Sequence, residues 1–192
     1  MARPKEFDRE AALGAAMELF WTYGYKATSM SDLQRVMGIG RQSLYDTFGG
    51  KREVFKEALD RYLDEGARYW GDLLADDDGF EAIRTYLLTI GRDQTQTTPR
   101  RACMMFNTYS EVAPHDPEIK TQVRKGVLAL QKKIELALGR AREQGTLSSN
   151  MDLRSVAIFL TTQVGGMNLM SRGGATRKEL RAAAEVTLRV IQ

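Results

Sequence analysis

Apolar residues along this chain recur at three- and four-residue intervals, and strand-like alternation is absent over any useful length. The first run carries Ala12, Ala16, Leu19 and Phe20. It opens after Asp8, whose carboxylate can accept from the unpaired N–H groups of a first helical turn, and it stops at Gly24. Ser29 and Asp32 then stand at capping-box spacing, with Asp in place of the usual Glu. A short helix follows with Leu33, Val36 and Met37 on one face, ended by Gly38, which can take the left-handed conformation. Ile39 and Gly40 turn the chain into a second short helix, Arg41 to Thr47, which Gly49 and Gly50 stop. From Lys51 a long amphipathic helix runs past Trp70, striped by Val54, Phe55, Ala58, Leu59, Tyr62 and Leu63. Periodicity predicts further helices at 79–94, 101–113, 117–144, 152–171 and 176–191. They are separated at Asp76 to Gly79, Thr97 to Pro99, Pro114 to Pro117, Gly145 to Asn150, and Gly173-Gly174. All four prolines sit where the patterns break. The expectation is an all-α chain of nine helices, with a boundary where the long fourth helix leaves the first bundle: 1–50 and 51–192.

Composition narrows the chemistry. Among 192 residues, 43% are hydrophobic, enough for a real core, and 28 Lys+Arg stand against 25 Asp+Glu, a mild +3. That charge permits nucleic-acid binding without arguing for it, so local clustering has to decide. One histidine, His115, and one cysteine, Cys103, rule out a Cys/His zinc site and a disulfide within the chain. Counting does not exclude a carboxylate-only metal site, but no cofactor is expected. A Cys103/His115 dyad is disfavoured, since twelve helical residues separate them by about 18 Å. The polar N-terminus has no signal-peptide core. The longest charge-free stretch, Ser155 to Ser171, contains Thr161, Thr162, Gln163 and Asn168, which suits a buried or interface helix better than a membrane span. The expected location is cytoplasmic, where a lone free thiol stays reduced.

The segment from Ser29 to Phe48 has the layout of a helix-turn-helix, held by Leu33, Val36, Ile39 and Leu44. A generic helical hairpin is the competing reading. The outer face of the second helix favours DNA: Arg41, Gln42, Ser43, Tyr45 and Thr47 all form hydrogen bonds, where a solvated helix usually carries Glu–Lys pairs. Arg suits guanine, Gln suits adenine, and Ser or Thr suits phosphate or either base. From Arg35 to Lys56 five basic residues stand against two acidic ones, so the local charge equals that of the whole chain. Lys51 opens its helix, where its charge and the exposed N–H groups both favour a phosphate; a solvated side chain is the bland alternative.

The run from Phe7 to Leu59 resembles the DNA-binding domain of TetR-type transcriptional regulators. The matching residues are ordered: Phe20, then Tyr23 to Ser29, Asp32-Leu33, Gly38-Ile39, Ser43-Leu44-Tyr45, Phe48, Lys51 and Phe55. The resemblance covers about residues 7–60. It implies an all-helical homodimeric repressor, not an enzyme, whose C-terminal domain senses a small molecule. It also implies base contacts from Arg41, Gln42 and Ser43 and phosphate contacts from Ser29, Tyr45 and Lys51, with Thr47 on the same helix. Gly49-Gly50 departs mildly from a family that often carries a bulkier polar residue there. Arg3 and Lys5 form a short basic arm that can reach a minor groove or simply be disordered.

The segment from Arg101 to Pro117 is similar to one branch of the same family, in which a helix ends in an Ala-Pro-x-Asp-Pro turn. Met104, Met105, Phe106 and Tyr109 make this helix soft and aromatic, which suits either a pocket or plain core packing. The candidate ligand wall is Cys103, Met105, Phe106, Asn107 and Tyr109, with Tyr62, Tyr69, Trp70, Tyr86 and Met167 from neighbouring helices. The ligand expected there is small and apolar or amphipathic. Cys103 is an inert buried residue, a pocket liner, or a redox or electrophile sensor whose thiol Arg100, Arg101 and a helix N-terminus would activate. The last two helices predict a dimer interface. One carries Val156, Phe159, Leu160, Val164, Met167 and Met170, and the other Leu180, Ala183, Ala184, Thr187 and Ile191. An intramolecular core is the alternative. The function expected is a ligand-responsive homodimeric repressor on a pseudo-palindromic double-stranded operator, or one triggered through Cys103.

Overall fold

Side-chain caps start most of the helices. In the computed structural model, which describes residues 7–90, 101–148 and 150–192, Asp8 accepts from the Glu10 and Ala11 N–H groups and opens α1 (Arg9–Tyr23). Ser29 and Asp32 close a capping box on α2 (Met30–Met37). Then come α3 (Arg41–Phe48) and α4 (Lys51–Leu73). Asp78 caps α5 (Gly79–Thr89), and α6 (Met104–Glu111) starts after Cys103. Asp116 caps α7 (Pro117–Glu143), which has Pro in its first turn, where a missing N–H costs nothing. Asp152 caps α8 (Leu153–Arg172), and Thr176 and Glu179 box α9 (Arg177–Ile191). Each such cap contributes about 1 kcal/mol. The described residues thus form nine helices and no strand.

Two boundaries differ from the sequence reading. Residues 101–103 are not helical, because tertiary partners take their backbone groups: the Ala102 carbonyl accepts from Trp21 Nε1 and the Cys103 N–H donates to Asn168 Oδ1. The α5 helix ends at Thr89 with Ile90 extended. The rest of the predicted 79–94 helix, the Thr97–Pro99 separator, Arg100 and the Arg3/Lys5 arm lie outside the described residues.

One apolar core runs through the chain. Its N-terminal part is Ala16, Phe20, Leu33, Leu44, Phe48, Val54, Phe55, Ala58 and Leu59, where α1 packs on α2 and α4, and α3 closes against both α2 and α4. The second half of α4 leaves that bundle to pack on α5, α6 and α7. Spanning about 40 Å, α7 packs on both α8 and α5 and buries Val127, Leu130, Ile134 and Leu138, while α9 packs on α8 and α5. No helix among the described residues is long and apolar enough to cross a membrane.

The α8 and α9 residues sort differently from the sequence expectation. Leu160, Val164, Met167, Leu180, Ala184, Thr187 and Ile191 are buried within the chain, which is the intramolecular alternative. Outward-facing instead are Ile158, Leu169 and Met170 on α8 and Val186 and Val190 on α9, between 49% and 65% exposed. The spacing of Ile158, Thr162, Gly166 and Leu169 makes one stripe of α8, and Ala183, Val186 and Val190 make one of α9.

Charged contacts tie the two halves together. Arg52 on α4 donates to Asp116 through Nε at 2.7 Å and Nη2 at 3.0 Å and also reaches Glu118, which Lys56 pairs as well. The guanidinium holds the Asp116 carboxyl at about 2, below its ordinary 3.8. A depressed carboxyl contributes stability that is present above its unfolded value and is lost as pH falls through the folded one. Asp116→Asn keeps the α7 cap but removes the charge. Its deficit against wild type in urea unfolding is expected to be full near neutrality and to shrink as pH falls from 3.8 towards 2. A deficit independent of pH would contradict this pairing.

Candidate functional sites: a nucleic-acid face and an aromatic cavity

The α2–α3 unit is set by apolar anchors and glycine turns. Leu33, Met37, Ile39, Leu44 and Phe48 point inward. Gly49 and Gly50 have φ of 87° and 141°, which explains why this sequence carries glycine at both positions: a side chain would be strained. Facing outward from α3, Arg41, Gln42, Ser43 and Tyr45 are exposed, whereas Thr47 is half-buried beside the core. The Arg41 guanidinium lies 5.8 Å from the Tyr45 ring centre, and Gln42 Nε2 donates to Asp46 at 2.8 Å, a bond that a base would have to replace.

The helix caps single out this face. Asp8, Ser29, Asp78, Asp116, Asp152 and Thr176 cap their helices, but Gly40 and Gly50 leave α3 and α4 without a side-chain cap. The first-turn N–H groups of α3 and α4 therefore remain as donors for an anion. The Cys103 end of α6 also lacks a side-chain cap of its own, but Asn168 Oδ1 and the Tyr62 hydroxyl accept from Cys103 and Met104 there.

The basic cluster is thinner than the sequence count. Arg52 and Lys56 are neutralised by Asp116 and Glu118, and Arg35 pairs with Asp32. Among the described residues Arg41 and Lys51 form no ion pair. Lys51 Nζ sits 4.4 Å above the Tyr25 ring, and burial lowers its pKa while Glu111 raises it. Ser29 is exposed, but its hydroxyl donates to Asp32 at 2.6 Å, so a phosphate would compete with its own cap.

Between α4, α6 and α7 lies a cavity of about 1140 Å³. Seven of the ten expected wall residues line it: Tyr62, Tyr69, Trp70, Tyr86, Cys103, Met105 and Phe106. Three do not. Met167 is core, Tyr109 is exposed, and Asn107 is half-buried away from the wall. A polar wall residue outside the expected set is Asn168 on α8, whose Nδ2 donates to the Val164 carbonyl. It was visible in the sequence as one of two amides, with Gln163, in the charge-free run of α8, but periodicity alone could not aim it. Trp21 of α1 also lines the cavity, edge-on to Tyr62 at 5.2 Å.

The Cys103 sulfur lies at the cavity wall against the Tyr62 hydroxyl. Burial pushes this thiol up, against the lowering pull of the Phe106 N–H, Tyr62 and the Met105 N–H. The Arg101 guanidinium reaches Glu18 at 2.5 Å and Thr22 at 2.9 Å and lies over Trp21, and it is not among the groups that shift the thiol. His115 is exposed beyond the far end of α6. No group of three or more His, Cys, Asp or Glu able to hold a metal occurs among the described residues.

Sequence reasoning missed Glu111. This last residue of α6 accepts from the Lys26 N–H at 2.8 Å and the Tyr25 N–H at 3.2 Å, clasping the turn between α1 and α2. With Trp21 bonded to Ala102, both ends of α6 are fastened to the N-terminal helices.

The chain is similar to known proteins over most of its length. A family model described as bacterial regulatory proteins, tetR family, matches residues 12–58. Another, described as tetracyclin repressor-like, C-terminal domain, matches 79–187. The chain is 32% identical to the HTH-type transcriptional repressor ComR of Escherichia coli (strain K12), over 98% of this chain and 90% of that one. It is 34% identical to the HTH-type transcriptional regulator YezE of Bacillus subtilis (strain 168), over 100% of both. Among solved structures, a cysteine mutant of the regulator CifR, complexed with 26 bp of double-strand operator DNA, superposes with a TM-score of 0.86 at 27% identity over 100% of both chains.

Proposed function

The chain belongs to the TetR family of bacterial regulatory proteins, and from that membership we propose that it is a homodimeric repressor released from its DNA operator by a small molecule. The observation that carries the DNA reading is the pairing of two uncapped helix N-termini, α3 and α4, with two cations outside any described ion pair, Arg41 and Lys51. Arg41, Gln42 and Ser43 supply base contacts from α3. Tyr45, Lys51 and the α4 N–H groups hold the phosphates, with Ser29 and Thr47 contributing at the margin. The two recognition helices of a dimer occupy successive major grooves about 34–36 Å apart. Residues 1–50 act as the DNA-binding domain and 51–192 as the sensing and dimerising one, working in the cytoplasm with the operator. The dimer forms through the outward stripes of α8 and α9.

The cavity is the inducer site. A ligand there presses on α6, whose two ends hold the α1–α2 turn and Trp21, so its binding energy biases the spacing of the recognition helices. Its leverage is limited to its differential affinity for the two arrangements. The alternative trigger, covalent change at Cys103, gains little from a thiol whose pKa burial raises.

A mobility-shift titration of the full chain tests the DNA reading. Tyr45→Phe and Lys51→Ala are expected to weaken binding on every sequence, and Arg41→Ala to relax specificity as well, costing about 1–3 kcal/mol at its base. No effect from any of the three would overturn the assignment.

A further inference from the structure

We propose that the ligand of the α4–α7 cavity is an uncharged aromatic molecule bearing a hydrogen-bond acceptor, which the Tyr86 hydroxyl engages. This rests on the reading of the cavity as the inducer site and names the chemistry that site takes.

The walls set the ring. Trp70 stands edge-on to Tyr86 at 4.9 Å and to Tyr69 at 4.6 Å, with Tyr62, Phe106 and Met105 on the remaining sides. Such walls favour a planar aromatic guest.

The charges do not favour an ion of either sign. Three cationic and four acidic side chains line the cavity, so their signs nearly cancel. Lys56 pairs with Glu118 and Glu65 with Arg61 at 2.8 Å, while Asp60 and Lys133 are held by neutral partners, Gln122 Nε2 at 2.6 Å and the Ala67 carbonyl at 2.5 Å. Asp64 and Lys125 are exposed, on α4 and α7, with opposite signs. A charged guest entering between the aromatic walls would lose hydration that the rings themselves do not replace.

The polar inventory sets the acceptor. Trp21 Nε1 is used by the Ala102 carbonyl, Tyr62 by Met104 and Cys103, and both ends of the Asn168 amide by Cys103 and Val164. Tyr86 is only 3% exposed, lines the cavity, and makes no hydrogen bond to any described residue. Its hydroxyl is not sealed off, and with the residue in the cavity wall it is free to meet a guest; the sealed, unpartnered atom among the lining residues is Gln122 Oε1. Beside it, Trp70 Nε1 is a second donor with no partner among the described residues. Donors in the cavity wall without a protein partner can be met by a guest's acceptor, and a ketone or ether oxygen supplies one without charge.

Equilibrium dialysis of the full-length protein against four isosteres separates the terms: 2-acetylnaphthalene, 2-ethylnaphthalene, 2-naphthoate and 2-naphthyltrimethylammonium. The ketone is expected to bind at least about tenfold more tightly than either ion. Tyr86→Phe is expected to weaken the ketone roughly fivefold, one neutral hydrogen bond, and to leave the hydrocarbon unchanged. Without ligand, Tyr86→Phe should melt no lower than wild type, because the hydroxyl it removes has no protein partner. Either ion binding as tightly as the ketone, equal effects of Tyr86→Phe on both neutral ligands, a destabilised Tyr86→Phe, or no binding by any of the four would overturn the proposal. If the ketone binds as expected but leaves the operator complex intact, the ligand class stands and the inducer role of the cavity fails.

Discussion

Leu169→Glu combined with Val190→Glu is expected to convert the protein to monomers and to weaken operator binding by at least about 100-fold. Both side chains are well exposed, at 65% and 59%, so neither substitution opens a cavity in the chain's own core. They sit on the outward stripes of α8 and α9, where Gly166 has open space beside it and allows close helix approach. In a self-complementary interface the same patch is used by both subunits, so the two substitutions would bury four carboxylates in one interface. Losing the second half-site removes the intramolecular advantage of dimer binding, worth 10²–10⁴ in affinity. Sedimentation should give 21.6 kDa in place of twice that mass, with the helical circular dichroism retained. A dimer that survives both glutamates would place the interface elsewhere.

Phe55→Ala should be the most damaging single truncation in the N-terminal bundle. Phe55 is 1% exposed and joins three elements, with its ring edge-on to Phe20 of α1 at 5.0 Å and tilted on Tyr25 of the α1–α2 turn at 4.8 Å. Truncating a buried Phe costs about 3–5 kcal/mol through lost burial and the cavity left behind. For a chain of this length that lowers Tm by roughly 6–20 °C. Tyr25 also carries Lys51 on its ring, so operator binding should fall at temperatures where the protein is still folded. A calorimetric scan showing a shift below about 2 °C would mean that the bundle repacks around the gap.

The helices were legible because their signals are local. Asp8, Ser29 with Asp32, and Gly38 act within one turn of themselves, and all three do in the fold what their spacing announces. The buried stripe of α4 through Val54, Phe55, Ala58 and Leu59 was read the same way. What stayed hidden depends on partners far along the chain. Arg52 and Lys56 look like part of a basic patch until α7 brings Asp116 and Glu118 to them. Asn107 was among the expected wall residues because it lies one turn from Cys103 along the sequence. Asn168 lines the cavity in its stead and accepts from the Cys103 N–H, a contact across 65 residues that local spacing does not show. On α8 and α9, apolar character was plain, but two apolar faces compete there, and only packing shows that Leu160 and Val164 turn inward while Ile158 and Leu169 turn out.

Selection of bound duplexes from a random-sequence pool by the purified full-length protein tests the repressor reading most directly. The expected product is a pseudo-palindrome whose half-sites lie a whole number of helical turns apart, about 10–10.5 bp each, with enrichment lost in Arg41→Ala. A pool that emerges no different from its starting composition, or a single unpaired half-site, would contradict it.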